Sequence, residues 1–77
     1  MDKVTSNFVR ACYYLIDQGI VASELRMAQK LGITYGLWQK LTRLEANVTT
    51  PVLTRAIKDF NLSSAYLHTG RGPFIEQ

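Results

Sequence analysis

Apolar residues recur along the chain at helical spacing, and glycines and polar residues interrupt them often enough to cut it into short pieces. Phe8, Cys12, Leu15 and Ile16 stand at i, i+4, i+7 and i+8, one face of a first helix. Thr5 or Ser6 is placed to cap its start. Gly19 is placed to end it, because a helix terminus often takes a left-handed residue and glycine adopts that conformation at little cost. Ile20 and Val21 follow in a short connection. Ser23 reads as the next N-cap, with Glu24 in the first turn, where the positive helix end favours a carboxylate. This second helix runs from Glu24 to Leu31, and Gly32 stops it. Thr34 caps a third helix extending to about Glu45, and Asn47 falls where a non-glycine residue tolerates the left-handed conformation. Thr50-Pro51 marks a fourth start, a capping hydroxyl followed by proline at the first helical position, where its missing N–H is harmless. Val52, Leu53, Ala56, Ile57 and Phe60 supply that helix with an apolar face. Ser63 opens a short fifth helix holding Ala65, Tyr66 and Leu67, and Gly70 ends it. Arg71-Gly72-Pro73 then reads as an exit. No stretch reads as a strand. The pattern predicts an all-α domain of five short helices over residues 1–70, with 71–77 as a tail or the start of a linker.

The second and third helices have the features of a tight helix pair. Two helices that cross steeply over a short turn need a small residue where they touch, which Ala28 supplies. They need a residue able to take positive φ in the turn, which Gly32 supplies. Met27 and Leu31 (i, i+4) and Trp38 and Leu41 (i, i+3) are spaced as inward anchors, and Ile33 plugs the angle between the helices. The opposite face of the third helix then carries Tyr35, Gly36, Gln39, Lys40 and Arg43, while Leu37 falls between the two faces.

Composition narrows the function classes. A chain of 77 residues makes one small domain, and a domain of that size buries only about 60% of its unfolded surface. With 47% hydrophobic and 19% charged residues and no low-complexity tract, it is an ordinary globular chain. Its apolar runs are too short to cross a bilayer, and the polar start MDKVTSN does not resemble a signal peptide. One cysteine excludes an internal disulfide, and with one histidine it excludes a Cys/His zinc site within the chain. The expected compartment is the cytoplasm. The net charge of +3 permits an anionic partner, and between Glu24 and Arg43 four basic residues (Arg26, Lys30, Lys40, Arg43) face one acidic residue. Cys12 reads as a small core residue, His68 as a helix-end residue and Trp38 as core. Asp17, Glu45 and Asp59 are scattered, with no carboxylate pair, no phosphate-binding glycine loop and no nucleophile with its base. The expectation is a protein that is not an enzyme and uses no cofactor or metal.

The pattern from Glu24 to Arg43 resembles the helix-turn-helix of the lambda-repressor and Cro family of DNA-binding proteins. The residues that carry the likeness are Ala28, Gly32 and the apolar set Met27, Leu31, Ile33, Trp38 and Leu41. Trp38 is larger than the valine or isoleucine more usual there. Five short helices with the motif as the second and third are that family's architecture. The segment NLSSAYLHTGRGPF is similar to the end of the DNA-binding domain in many phage-type repressors, where an aromatic-leucine pair (here Tyr66-Leu67) precedes Thr-Gly-x-Gly-Pro (here Thr69 to Pro73). The likeness covers nearly the whole chain.

The resemblance implies a third helix lying in the major groove of double-stranded DNA. Tyr35, Gly36, Gln39 and Lys40 are the residues it places at the bases. Gln39 is able to bond adenine in a bidentate manner, Tyr35 to donate a hydrogen bond or pack on a thymine methyl, and Lys40 to reach guanine or phosphate. Gly36 would let the helix approach the groove wall closely. Ser23, Glu24, Thr34 and Arg43 are placed at the backbone, with Glu24 awkward beside phosphate and suited instead to a cytosine amino group or its own helix end. The expected function is that of a transcriptional regulator, a phage-type repressor or its DNA-binding domain, acting as a homodimer on paired half-sites. The alternative is a protein-interaction module, an antirepressor or adaptor, that keeps the fold without reading DNA.

Overall fold

The computed structural model describes residues 3–75, which form α1 (Lys3–Asp17), α2 (Glu24–Leu31), α3 (Tyr35–Thr42), α4 (Thr50–Phe60) and α5 (Ser64–Thr69). Residues 1, 2, 76 and 77, the outer ends of the expected domain and tail, lie outside the described residues. The fold is all-α. Among the described residues the one strand-like pairing is an isolated antiparallel bridge between Leu62 and Ile75. No helix among them is long and apolar enough to cross a membrane.

α2, α3 and α5 pack on α1, and α4 packs on α2. Phe8, Ala11, Cys12 and Leu15 are fully buried at i, i+3, i+4 and i+7, and Ile16 is half-buried at the edge of the stripe. The start of α1 departs from expectation. The helix already runs from Lys3, so Thr5 is not its cap. Thr5 is fully buried, and its Oγ1 accepts a 2.9 Å hydrogen bond from the Val48 N–H, tying the α3–α4 connection to α1. Gly19 ends α1 region at φ +75°, followed by Ile20 and Val21 N–H groups that both donate to the Leu15 carbonyl.

The ends of α2 and α3 follow one hydrogen-bond pattern. Gly32 takes φ +75°; its N–H donates to the Gln29 carbonyl and the Ile33 N–H to that of Ala28, at 3.1 Å each. This crossed pair closes a helix when the residue after it is left-handed. At the end of α3 the N–H of Leu44 donates to Leu41 and that of Glu45 to Lys40, with Leu44 at φ +59°. The helix stops at Thr42, short of Glu45, and the left-handed residue is Leu44, not Asn47. An asparagine does take that role at the end of α4, where Asn61 has φ +56°.

Two further boundaries shift. The N-cap of α4 is Thr49, one residue before the expected Thr50, and its side chain makes no capping bond; Pro51 still stands in the first turn. Ala56 is fully buried while Val52, Leu53, Ile57 and Phe60 are half-buried, so α4 lies along the rim of the core. Beyond α5 the chain turns back. Phe74 stacks on Tyr14 with ring centroids 4.7 Å apart and meets Tyr66 at 4.5 Å, and the Phe74 carbonyl accepts from the Ser63 N–H at 2.8 Å. The segment expected to leave as a tail therefore packs on the domain through residue 75. Apolar surface on Phe74 and Ile75 is what holds it there.

Candidate functional site

Burial divides α2 and α3 sharply into two sides. Met27, Ala28, Leu31, Trp38 and Leu41 are each at most 2% exposed, and Ile33 is half-buried against the same core. With Trp38 and Leu41 turned inward, helical geometry sets Gly36, Lys40 and Arg43 along the middle of the outward side. Tyr35 and Gln39 lie to one flank and Leu37 to the other. Gly36, Lys40 and Arg43 are exposed, Gln39 is half-buried, and Tyr35 and Leu37 are 42% and 37% exposed. Leu37, ambiguous by spacing, thus belongs to the surface. The sequence Tyr35–Thr42 holds no carboxylate, so the only formal charge on this face is positive.

Two hydroxyl caps set where the helices begin. Ser23 Oγ accepts from the Arg26 N–H at 3.2 Å, and Thr34 Oγ1 from the Leu37 N–H at 3.1 Å. Each satisfies a donor the helix itself leaves open. Both caps are exposed, Thr34 directly before α3 and Ser23 before α2.

Glu24 does something else. Its Oε1 accepts from the Tyr13 hydroxyl at 2.9 Å and from Trp38 Nε1 at 3.0 Å. Trp38 is fully buried, and a buried indole N–H requires an acceptor. Tyr13 also meets the Trp38 ring edge-on, with centroids 6.1 Å apart. One carboxylate oxygen, Oε1 of Glu24, therefore joins α1, α2 and α3, a role within the fold that the expected phosphate or cytosine contact did not include. Burial first, then the hydrogen bond to Glu24 and its negative charge, hold the Tyr13 phenol above its ordinary pKa.

Spacing alone missed two other residues. Arg55 of α4 lies over the α2–α3 turn: a Cβ on Gly32 would stand 2.7 Å from its Nη1. Its guanidinium also pairs with Asp59 at 3.5 Å, an exposed contact worth little by itself. Asn7 is buried on α1 and donates from Nδ2 to the Leu67 carbonyl at 3.1 Å, and its side chain fills the space beside Gly70. No local signal could mark Asn7, since its partner lies 60 residues away.

The remaining reactive groups are engaged in the fold. Cys12 is buried, which pushes its thiol above the ordinary range. His68 Nδ1 donates to the Ser64 carbonyl at 2.8 Å. Among the described residues no three His, Cys, Asp or Glu side chains converge as they would to hold a metal ion.

No family model matches the chain, and no curated protein or solved structure matches it.

Proposed function

We propose that the protein is a sequence-specific reader of double-stranded DNA, a transcriptional regulator of the lambda-repressor type that lays α3 in the major groove. The observation that carries this reading is the outward side of α3. It projects Tyr35, Leu37, Lys40 and Arg43 into solvent while both of its large anchors, Trp38 and Leu41, are fully buried. A short helix held from behind in this way presents one rigid, basic, hydrogen-bonding edge, which is what base readout in the major groove requires. Gln39 and Tyr35 would meet bases, Lys40 a base or phosphate, and Arg43 and the capped turns at Ser23 and Thr34 the backbone. Two copies would occupy half-sites about one helical turn apart.

Selection from a random duplex library at near-physiological salt tests the reading. The expected result is an enriched inverted repeat. Its affinity should fall with salt by about 0.9 in log K per log unit of salt for each phosphate contacted. Gln39→Ala should relax selectivity at one base position, and Arg43→Ala should weaken binding to all duplexes alike. Weak retention without enrichment would overturn the reading in favour of a protein-binding module.

A further inference from the structure

We propose that α4 and the end of α2 form a second binding surface, a basic furrow that takes an acidic peptide segment of a partner protein. This does not rest on the DNA reading of α3. The furrow follows from spacing along α4. Thr50, Thr54 and Lys58 stand four apart, as do Pro51, Arg55 and Asp59, and all six are exposed, so they form two adjacent ridges on the solvent side of the helix. The hollow they line has a volume of about 590 Å³. A second hollow of about 350 Å³ shares Arg55 and Asp59 with it and adds Lys30, from the end of α2, and Phe60.

The balance of charge there is positive. Lys30, Arg55 and Lys58 face one carboxylate, Asp59. Arg55 meets Asp59 at 3.5 Å in an exposed pair, and among the described residues neither lysine has an ion-pair partner. Asp17, Glu24 and Glu45 line neither hollow. The furrow also starts in the first turn of α4, where the helix end adds to the positive field.

Shape and composition decide which anion fits. The outward side of α3 projects and carries no carboxylate, which suits a convex and uniformly negative duplex. The α4 furrow is concave, holds Asp59 within it, and includes the apolar Pro51 and the half-buried Phe60. A phosphate backbone is repelled by Asp59 and gains nothing from proline or phenylalanine. A segment that mixes carboxylates with apolar residues uses the cations and the apolar side chains together. From Thr50 to Lys58 the helix rises about 12 Å, the reach of about four extended residues. That length calls for several carboxylates in a row, not for a single small anion.

The test titrates the full chain, isotopically labelled for amide NMR, with the acetylated peptide Glu-Glu-Phe-Glu-Leu-Glu and with its all-glutamine counterpart. Amides of α4 and of Lys30 should shift and saturate with the acidic peptide alone. Replacing both Arg55→Gln and Lys58→Gln should weaken that binding about three- to tenfold, the worth of two exposed charge contacts. Asp59→Asn should strengthen it. Lys40→Gln with Arg43→Gln removes the same charge from α3 and should leave peptide affinity within about twofold. A thermal melt checks that each variant folds, and Lys58→Gln alone carries the test if the change at Arg55 unfolds the chain. No saturable shift on α4 up to about 1 mM peptide would overturn the inference. So would an equal loss in the α3 variant, which would mean general charge attraction, or a loss of duplex binding in the α4 variant, which would make the furrow a phosphate contact. Failure of the parent to bind any duplex would remove the DNA reading and leave this result standing, because the peptide titration contains no DNA.

Discussion

Two glycines four residues apart, Gly32 in the turn before α3 and Gly36 in its first turn, stand in opposite relations to the fold. Gly32 is required by its backbone. Its φ is +75°, and a side chain there would also displace the flexible, exposed end of Arg55 at small cost. Gly36 is required by neither test, since its φ is ordinary and the space beside it is open. Glycine is a poorer helix former than alanine, so Gly36 in the first turn is a modest cost to the domain that its own packing does not offset. The difference separates two positions within one helix pair: the turn is fixed by its own backbone conformation, and nothing in the fold fixes glycine at 36.

The sharpest way to break this contrast is Gly32→Val. A β-branched residue at positive φ should cost about 1–3 kcal/mol, with Arg55 swinging aside cheaply. That is a large share of a small domain's stability, and the thermal melt should drop by many degrees. A melt equal to the parent's would show that the turn relaxes freely and that the two glycines are alike. Glu24→Ala should come next. It leaves the buried Trp38 N–H without its acceptor, at about 1–3 kcal/mol, and should change the tryptophan emission. Glu24→Gln keeps an acceptor oxygen and should recover most of the loss.

A third helix end sharpens the comparison. Leu44 closes α3 with the same crossed hydrogen bonds with which Gly32 closes α2, yet it is a leucine at φ +59° and 38% exposed. Leu44→Gly removes the left-handed penalty of about 1–2 kcal/mol and adds chain entropy to the unfolded state, worth about 0.4–1 kcal/mol the other way. The net should be a gain of about 0.5–1 kcal/mol in a denaturant titration. A loss would mean that the leucine side chain, half out in solvent, holds the α3–α4 connection by contacts stronger than its strain.

These residues also show what a sequence encodes legibly. Ser23, Thr34 and Ser63 cap their helices through a donor three residues on, and Gly32 and Gly70 end theirs through bonds to the preceding turn. Such signals are local, so spacing reveals them. The inward stripe of α2 and α3 is equally legible, because burial repeats with the helical period. Leu44 was hidden for the opposite reason. Its left-handed backbone opposes its own preference, and it goes with the crossed hydrogen bonds that close α3, which no preference of leucine announces. The orientation of Glu24 and the return of Phe74 depend on partners brought near by the fold, Tyr13 in one case and Tyr14 with Tyr66 in the other. Nothing near residue 24 or 74 in the chain announces them.

The smallest effect on stability is the one that bears most on function. Gly36→Ala should make the protein more stable by about 0.5 kcal/mol, since a methyl group there meets only open space and the helix gains a better former. On the reading proposed for α3, the same methyl stands between the helix and the groove, so specific duplex binding should weaken several-fold while the melt rises. The two readouts move in opposite directions, which no general loss of folding could produce. If stability rises and binding is unchanged, Gly36 is a tolerated weak point and the contrast with Gly32 ends at packing. If binding falls as the fold strengthens, the missing side chain is part of the reading surface, and the stability forgone at position 36 is explained by the groove it approaches.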